Sequence, residues 1–108
     1  LVHLSLKYRH RQYQLRYLHE LIEKSAKPVI VAGDFNTFWG THELYLFQRA
    51  ARLRSANTRG LYSFPSKNPR VELDFVLVSE GIEVTDFRIP DVRLSDHRPL
   101  VCDFHIRG

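Results

Sequence analysis

Three short segments of this chain, Gly33-Asp34-Phe35-Asn36, Leu73-Asp74-Phe75-Val76 and Ser95-Asp96-His97-Arg98-Pro99, each set an acidic residue inside or at the end of an apolar run. A carboxylate in such a place is expensive unless something pairs with it. Asp34 follows Val29-Ile30-Val31-Ala32, a continuous apolar run of the kind buried on both faces of a sheet. It therefore stands where a buried strand emerges, the usual place for ligand-facing groups in open α/β sheets. Gly33 before it frees the backbone to turn and lets a substrate approach closely. Asn36 is a neutral amide that can donate to a phosphate oxygen or orient a water, or can simply close an Asx turn with Asp34. Asp74 shares its strand face with Val76 and Val78, so its charge needs a partner. His97 is the natural one, because a carboxylate on one ring nitrogen fixes the tautomer and leaves the other nitrogen for substrate. Asp96, adjacent to His97 in an extended segment, points elsewhere and should serve a different role. Such a set suits hydrolysis of a phosphate ester, which needs an in-line water, neutralisation of the non-bridging oxygens and help for the leaving oxygen.

Taken in this order, and with His3 in a strand ahead of them, the three segments resemble the C-terminal motifs of the endonuclease/exonuclease/phosphatase superfamily. These are metal-dependent phosphoesterases related to pancreatic deoxyribonuclease, apurinic endonucleases, sphingomyelinases and inositol polyphosphate 5-phosphatases. The resemblance implies that Asp34 positions or deprotonates the water, Asn36 and His3 contact the phosphate, Asp74 pairs with His97, and Asp96 faces a metal site with Asp34. The implied cofactor is Mg²⁺ or Mn²⁺, hard ions that suit oxygen ligands. It also implies that residues 1–108 form the C-terminal half of one domain, with no second domain. The expected fold is then α/β: a mixed β-sheet with two helices on one face, one half of a four-layer α/β-β/α sandwich. The family's metal-binding Glu and a phosphate-facing Asn belong to the other half. Expected partners are a phosphate-ester substrate, either nucleic acid or phospholipid or phosphoinositide, and the missing half of the domain or a second copy of the chain. The other class of function is a catalytically silent binding or structural half. Arg70 and Lys67 are candidates for a substrate phosphate, with a solvated loop as the plainer role.

The elements that must carry these residues are legible in outline. Residues 1–6 read as a strand, and Arg9 to Ser25 as an amphipathic helix with Leu15, Leu18 and Ile22 on one face. Pro28 stops the helix before the Val29 strand. Thr41 can cap a second helix that buries Leu44, Phe47 and Ala51. A polar loop spans Arg54 to Arg70, with Tyr62 and Phe64 pinning it to the core, and Trp39 is read as packing. Strands at Glu72–Val78 and Ile82–Ile89 are expected to form a hairpin through Ser79-Glu80-Gly81, and the last strand runs from about Leu100 to Ile106. His10, His19, His42 and His105 fit no motif and no zinc spacing. The single cysteine, Cys102, forms no internal disulfide and reads as a small buried hydrophobe. A net charge of +4 favours an anionic partner, though much of the excess lies locally in Lys7–Arg11 and Arg16. No run approaches a membrane span. The chain contains no methionine and opens on Leu1-Val2-His3-Leu4, which reads as mid-strand, so a fragment or processed product is expected, uncovered on the sheet face that its helices do not reach.

Overall fold

A computed structural model describes residues 2–4, 6–37 and 42–107 of the chain. The first short strand, β1 (Val2–His3), leads into a long helix, α1 (Tyr8–Lys24), and then into β2 (Ile30–Asp34). Helix α2 (His42–Ala51) follows, then β3 (Leu53–Ser55), β4 (Asp74–Ser79), β5 (Ile82–Arg88) and β6 (Val101–Ile106). Thr41, Phe38 and Trp39 lie outside the described residues, so the expected cap and the packing of Trp39 are not addressed.

Four strands make one sheet in the order β1-β2-β4-β3. It is mixed: β1 runs parallel to β2, whereas β4 is antiparallel to both β2 and β3. The parallel step from β1 to β2 is the one that needs a crossover, and α1 supplies it. Both helices lie on one face of this sheet. Leu15 of α1 and Leu44, Phe47 and Ala51 of α2 share a core with Val31, Phe35, Phe75 and Leu77, while Leu18 and Ile22 pack at its margin. The two helices are also tied by charge. The Arg11 guanidinium, 3% exposed, donates Nη2 to Glu43 Oε1 at 2.9 Å and Nε to Glu43 Oε2 at 3.2 Å. Its Nη1 donates to the Leu6 carbonyl at 2.8 Å, anchoring the chain that leaves β1. Removing one partner of a bidentate pair this sheltered costs roughly 3–5 kcal/mol in comparable proteins, because the other charge is left uncompensated.

Three expectations are corrected. β4 and β5 do not form a hairpin; they belong to different sheets, and β5 pairs with β6. Both edges of β4 are already occupied by β2 and β3, so the chain cannot fold back into that sheet. Gly81, at φ 94°, turns it out of the plane. The β5–β6 ribbon instead crosses the face opposite the helices. Val76 and Val78 are buried there against Ile82 and Phe87, with Ala32, Val84, Leu100 and Cys102 around them. The face expected to lie bare is therefore partly covered, although Ile30, Phe104 and Ile106 remain exposed. The expected loop from Arg54 to Arg70 also begins inside β3, a strand too short for side-chain alternation to reveal. Cys102 is half-buried, and burial first, with Asp103 and Asp86 adding to it, holds its thiol above the usual range, as befits an unreactive packing residue.

Candidate active site

Strand register brings the first three candidate residues into line. His3 is opposite Asp34 across β1 and β2, and Asp34 is opposite Asp74 across β2 and β4. The reason is alternation along each strand. Phe35 and Phe75 point into the helix-side core and meet edge to face, with ring centroids 5.7 Å apart. Their neighbours Asp34 and Asp74 must then project from the other face. Each acidic residue sits inside an apolar run because the flanking side chains are the anchors that aim it. Gly33, at φ 143°, is in a conformation that other residues rarely adopt. Asn36 takes φ 48°, which Asn tolerates.

Two carboxylates directly opposite each other repel, and His97 lies between them. Its Nδ1 is 2.5 Å from Asp74 Oδ2, and its Nε2 is 3.7 Å from Asp34 Oδ2. Because an ionised carboxylate only accepts, Nδ1 is the protonated nitrogen, and Nε2 faces the Asp34 side. The Asp74–His97 contact inferred from the apolar strand face is thus present. His3 Nε2 lies 3.7 Å from the same Asp34 oxygen and its side chain is 77% exposed. Asp34, Asp74 and His97 place a ligand atom each within 4.8 Å of one another, the one such group among the described residues.

The remaining candidates are placed differently. Asn36 makes the Asx turn: its backbone N–H donates to Asp34 Oδ1 at 2.8 Å, and its side-chain amide donates to the Leu4 carbonyl. That leaves Asp34 Oδ2 as the oxygen turned toward the two imidazoles. Asp96 is exposed and does not join the three-residue cluster; its carbonyl accepts from the Ser66 amide at 2.8 Å. Arg70 and Lys67 are exposed on the loop preceding β4. Glu72, two residues before Asp74, has its carboxyl pushed up by burial, opposed by the Asn57 amide that donates to it at 2.9 Å.

Sequence reasoning missed Ser63. It is fully buried, and its hydroxyl donates to Asp74 Oδ2 at 2.7 Å. A lone serine in a polar loop carries no periodic or motif signal, and of its neighbours Tyr62, expected to pin the loop to the core, is instead 52% exposed. Phe64 does pack, but on the site itself, with its ring centroid 4.9 Å from that of His97. Two recesses adjoin the cluster. One of about 250 Å³ is lined by Ala32, Gly33, Asp74, Val76, Arg98 and Leu100, and one of about 330 Å³ by Val92, Leu94, Ser95, His97 and Pro99.

Asp34 Oδ2 and the neighbouring Asp74 carboxylate form a donor set suited to a hard divalent cation, which would also relieve their mutual repulsion. His97, already committed to Asp74 through Nδ1, is not needed as a ligand.

No solved structure matches the chain at a significant level. The chain is 34% identical to the uncharacterized protein YbhP of Escherichia coli over 115 aligned positions, covering 97% of this chain and 45% of YbhP. It is 30% identical to the UPF0294 protein VP2298 of Vibrio parahaemolyticus and 34% identical to a UPF0294 protein of Klebsiella pneumoniae, in each case over 84% of this chain and about a third of the relative. It therefore spans less than half the length of these curated relatives. The sequence model of the Endonuclease/Exonuclease/phosphatase family matches residues 3–97, from the strand that carries His3 to the imidazole that joins the two aspartates. With the Asp34–Asp74–His97 cluster assembled from residues of that match, the chain belongs to the endonuclease/exonuclease/phosphatase family.

Proposed function

We propose that this chain carries the C-terminal catalytic residues of a divalent-metal-dependent phosphoesterase acting on a phosphodiester or phosphomonoester. The observation that carries the reading is the position of His97, bonded to Asp74 through one nitrogen and turned toward Asp34 through the other. Asp34, with Oδ1 occupied by the Asn36 amide, offers Oδ2 to orient and deprotonate a water. His97 Nε2, its ring held by Asp74, donates to a phosphate oxygen or to the leaving oxygen. His3, exposed beside Asp34, contacts the phosphate from the β1 side. Asn36 acts on Asp34 and the β1–β2 spacing, since both its amide groups are turned to those neighbours. Mg²⁺ or Mn²⁺, which when bound neutralises the non-bridging oxygens, would be held by Asp34 beside the Asp74 carboxylate; Asp96, which the resemblance assigns to the metal, stands outside that group and is proposed only as a further ligand. Lys67 and Arg70 are assigned at most to a distal substrate phosphate.

The 108-residue chain alone is expected to be inactive, so the test is turnover of the full parent protein on a chromogenic phosphodiester and a chromogenic phosphomonoester in Mg²⁺, beside phospholipid, phosphoinositide and single- and double-stranded nucleic acid substrates. Metal-dependent hydrolysis of one class is expected, and no turnover on any of them would favour a silent binding half.

We further propose that residues 1–108 are half of a domain whose remainder covers the ribbon. Leu94, 93% exposed, and the exposed Ile30, Phe104 and Ile106 support this, as does the match to only 45% of YbhP. An apolar margin of that kind associates. Light scattering on the 108-residue chain alone is expected to report self-association, and a clean monomer at about 100 μM without binding of an apolar-surface dye would overturn the half-domain reading.

A further inference from the structure

We infer that Ser63 is a positioning residue that sets the geometry of the Asp74–His97 pair, an inference that rests on the phosphoesterase reading only for its kinetic arm. A hydroxyl has one proton to donate and two lone pairs to accept, and at Ser63 all three are used. Its Oγ accepts the amide of Asp74 at 3.3 Å and that of Leu73 at 3.4 Å. With its acceptor side turned to the backbone of β4's entry, the single proton is directed to Asp74 Oδ2, 2.7 Å away. That is the same oxygen His97 Nδ1 meets at 2.5 Å. The hydroxyl therefore stops the carboxylate from rotating about its χ2 torsion, which would draw the oxygen away from the imidazole.

The same residue reaches His97 by a second route. The Ser63 carbonyl accepts the backbone N–H of Arg98, the residue after His97, at 2.7 Å. Two further bonds join the segments: the Ser66 amide donates to the Asp96 carbonyl at 2.8 Å, and Arg98 Nε donates to the Ser66 carbonyl at 2.8 Å. Phe64 packs its ring on the His97 imidazole. Among these contacts, the Ser63 hydroxyl is the one that touches the dyad's shared oxygen, so its loss changes the dyad while the backbone bonds still hold the loop.

Ser63→Ala, Ser63→Thr and Ser63→Cys should be compared with the parent protein in two readouts. The first is the His97 ring Nδ1–H resonance in nitrogen-resolved NMR, which needs no activity. It is expected to be protected in the parent and in Ser63→Thr, and to be exchange-broadened or lost in Ser63→Ala and Ser63→Cys while the backbone amide spectrum stays native. The second is kinetic: kcat lower by about tenfold in Ser63→Ala and Ser63→Cys with KM nearly unchanged, and restored in Ser63→Thr, since misplacing a catalytic group acts on the reacting step rather than on binding. An Nδ1–H resonance that is unchanged in a folded Ser63→Ala or Ser63→Cys protein overturns the inference whether or not the protein hydrolyses anything. An inactive parent with the expected resonance pattern would sink the hydrolase reading and leave the positioning role standing.

Discussion

Replacing His97 by Ala, or Asp34 by Asn, is expected to lower phosphoesterase turnover by at least about a hundredfold, the range in which positioned acids and bases act. His97 is the group bonded to Asp74 at 2.5 Å while facing Asp34 at 3.7 Å. Its removal takes away the proposed proton donor and leaves two opposed carboxylates without the imidazole between them. Asp34→Asn keeps the shape and the turn, because an amide oxygen can still accept the Asn36 N–H, but removes the basic oxygen. The loss should fall on kcat more than on KM in both variants, since the proton transfers assigned to the two groups are made in the reacting step. Lys67→Ala, at an exposed loop position, should be mild and serves as the control. Near parental turnover in His97→Ala, across diester and monoester substrates, would end the catalytic account and favour a binding role.

Chelation of divalent cations should be comparably severe, with turnover falling by at least about a hundredfold and recovering on addition of Mg²⁺ or Mn²⁺, because such an ion supplies several kcal/mol of charge stabilisation. Asp34 and Asp74 face each other across β2 and β4, and bringing an anionic phosphate to that pair adds charge of the same sign. The 108-residue chain alone is nevertheless expected to bind Mg²⁺ weakly by calorimetry, because among the described residues only the Asp34 and Asp74 carboxylates join the cluster and Asp96 stands apart from it. Full activity in excess chelator would rule out the metal. Micromolar Mg²⁺ affinity of the 108-residue chain by itself would mean that its own residues complete the site.

The sequence by itself determined that Asp34, Asp74 and His97 meet, and which side of their strands Asp34 and Asp74 occupy. Phe35 and Phe75 flank Asp34 and Asp74 on the other parity, and a period-two strand that buries one parity must project the other. The Asp74–His97 pairing was legible for the same reason, since a carboxylate sharing a face with Val76 and Val78 had to find a partner. Both helices and their buried stripes could be read as well, because spacing of three and four residues has no other economical use. Tertiary structure alone decided the rest. That β5 leaves β4 to pair with β6 depends on β2 and β3 having taken both edges of β4, and no local pattern records the occupancy of an edge. The partial cover over Val76 and Val78 follows from that one departure. Ser63 was invisible for a related reason: it matters because its hydroxyl ends 2.7 Å from a carboxylate eleven residues away, and a serine announces no partner until the chain has folded around it.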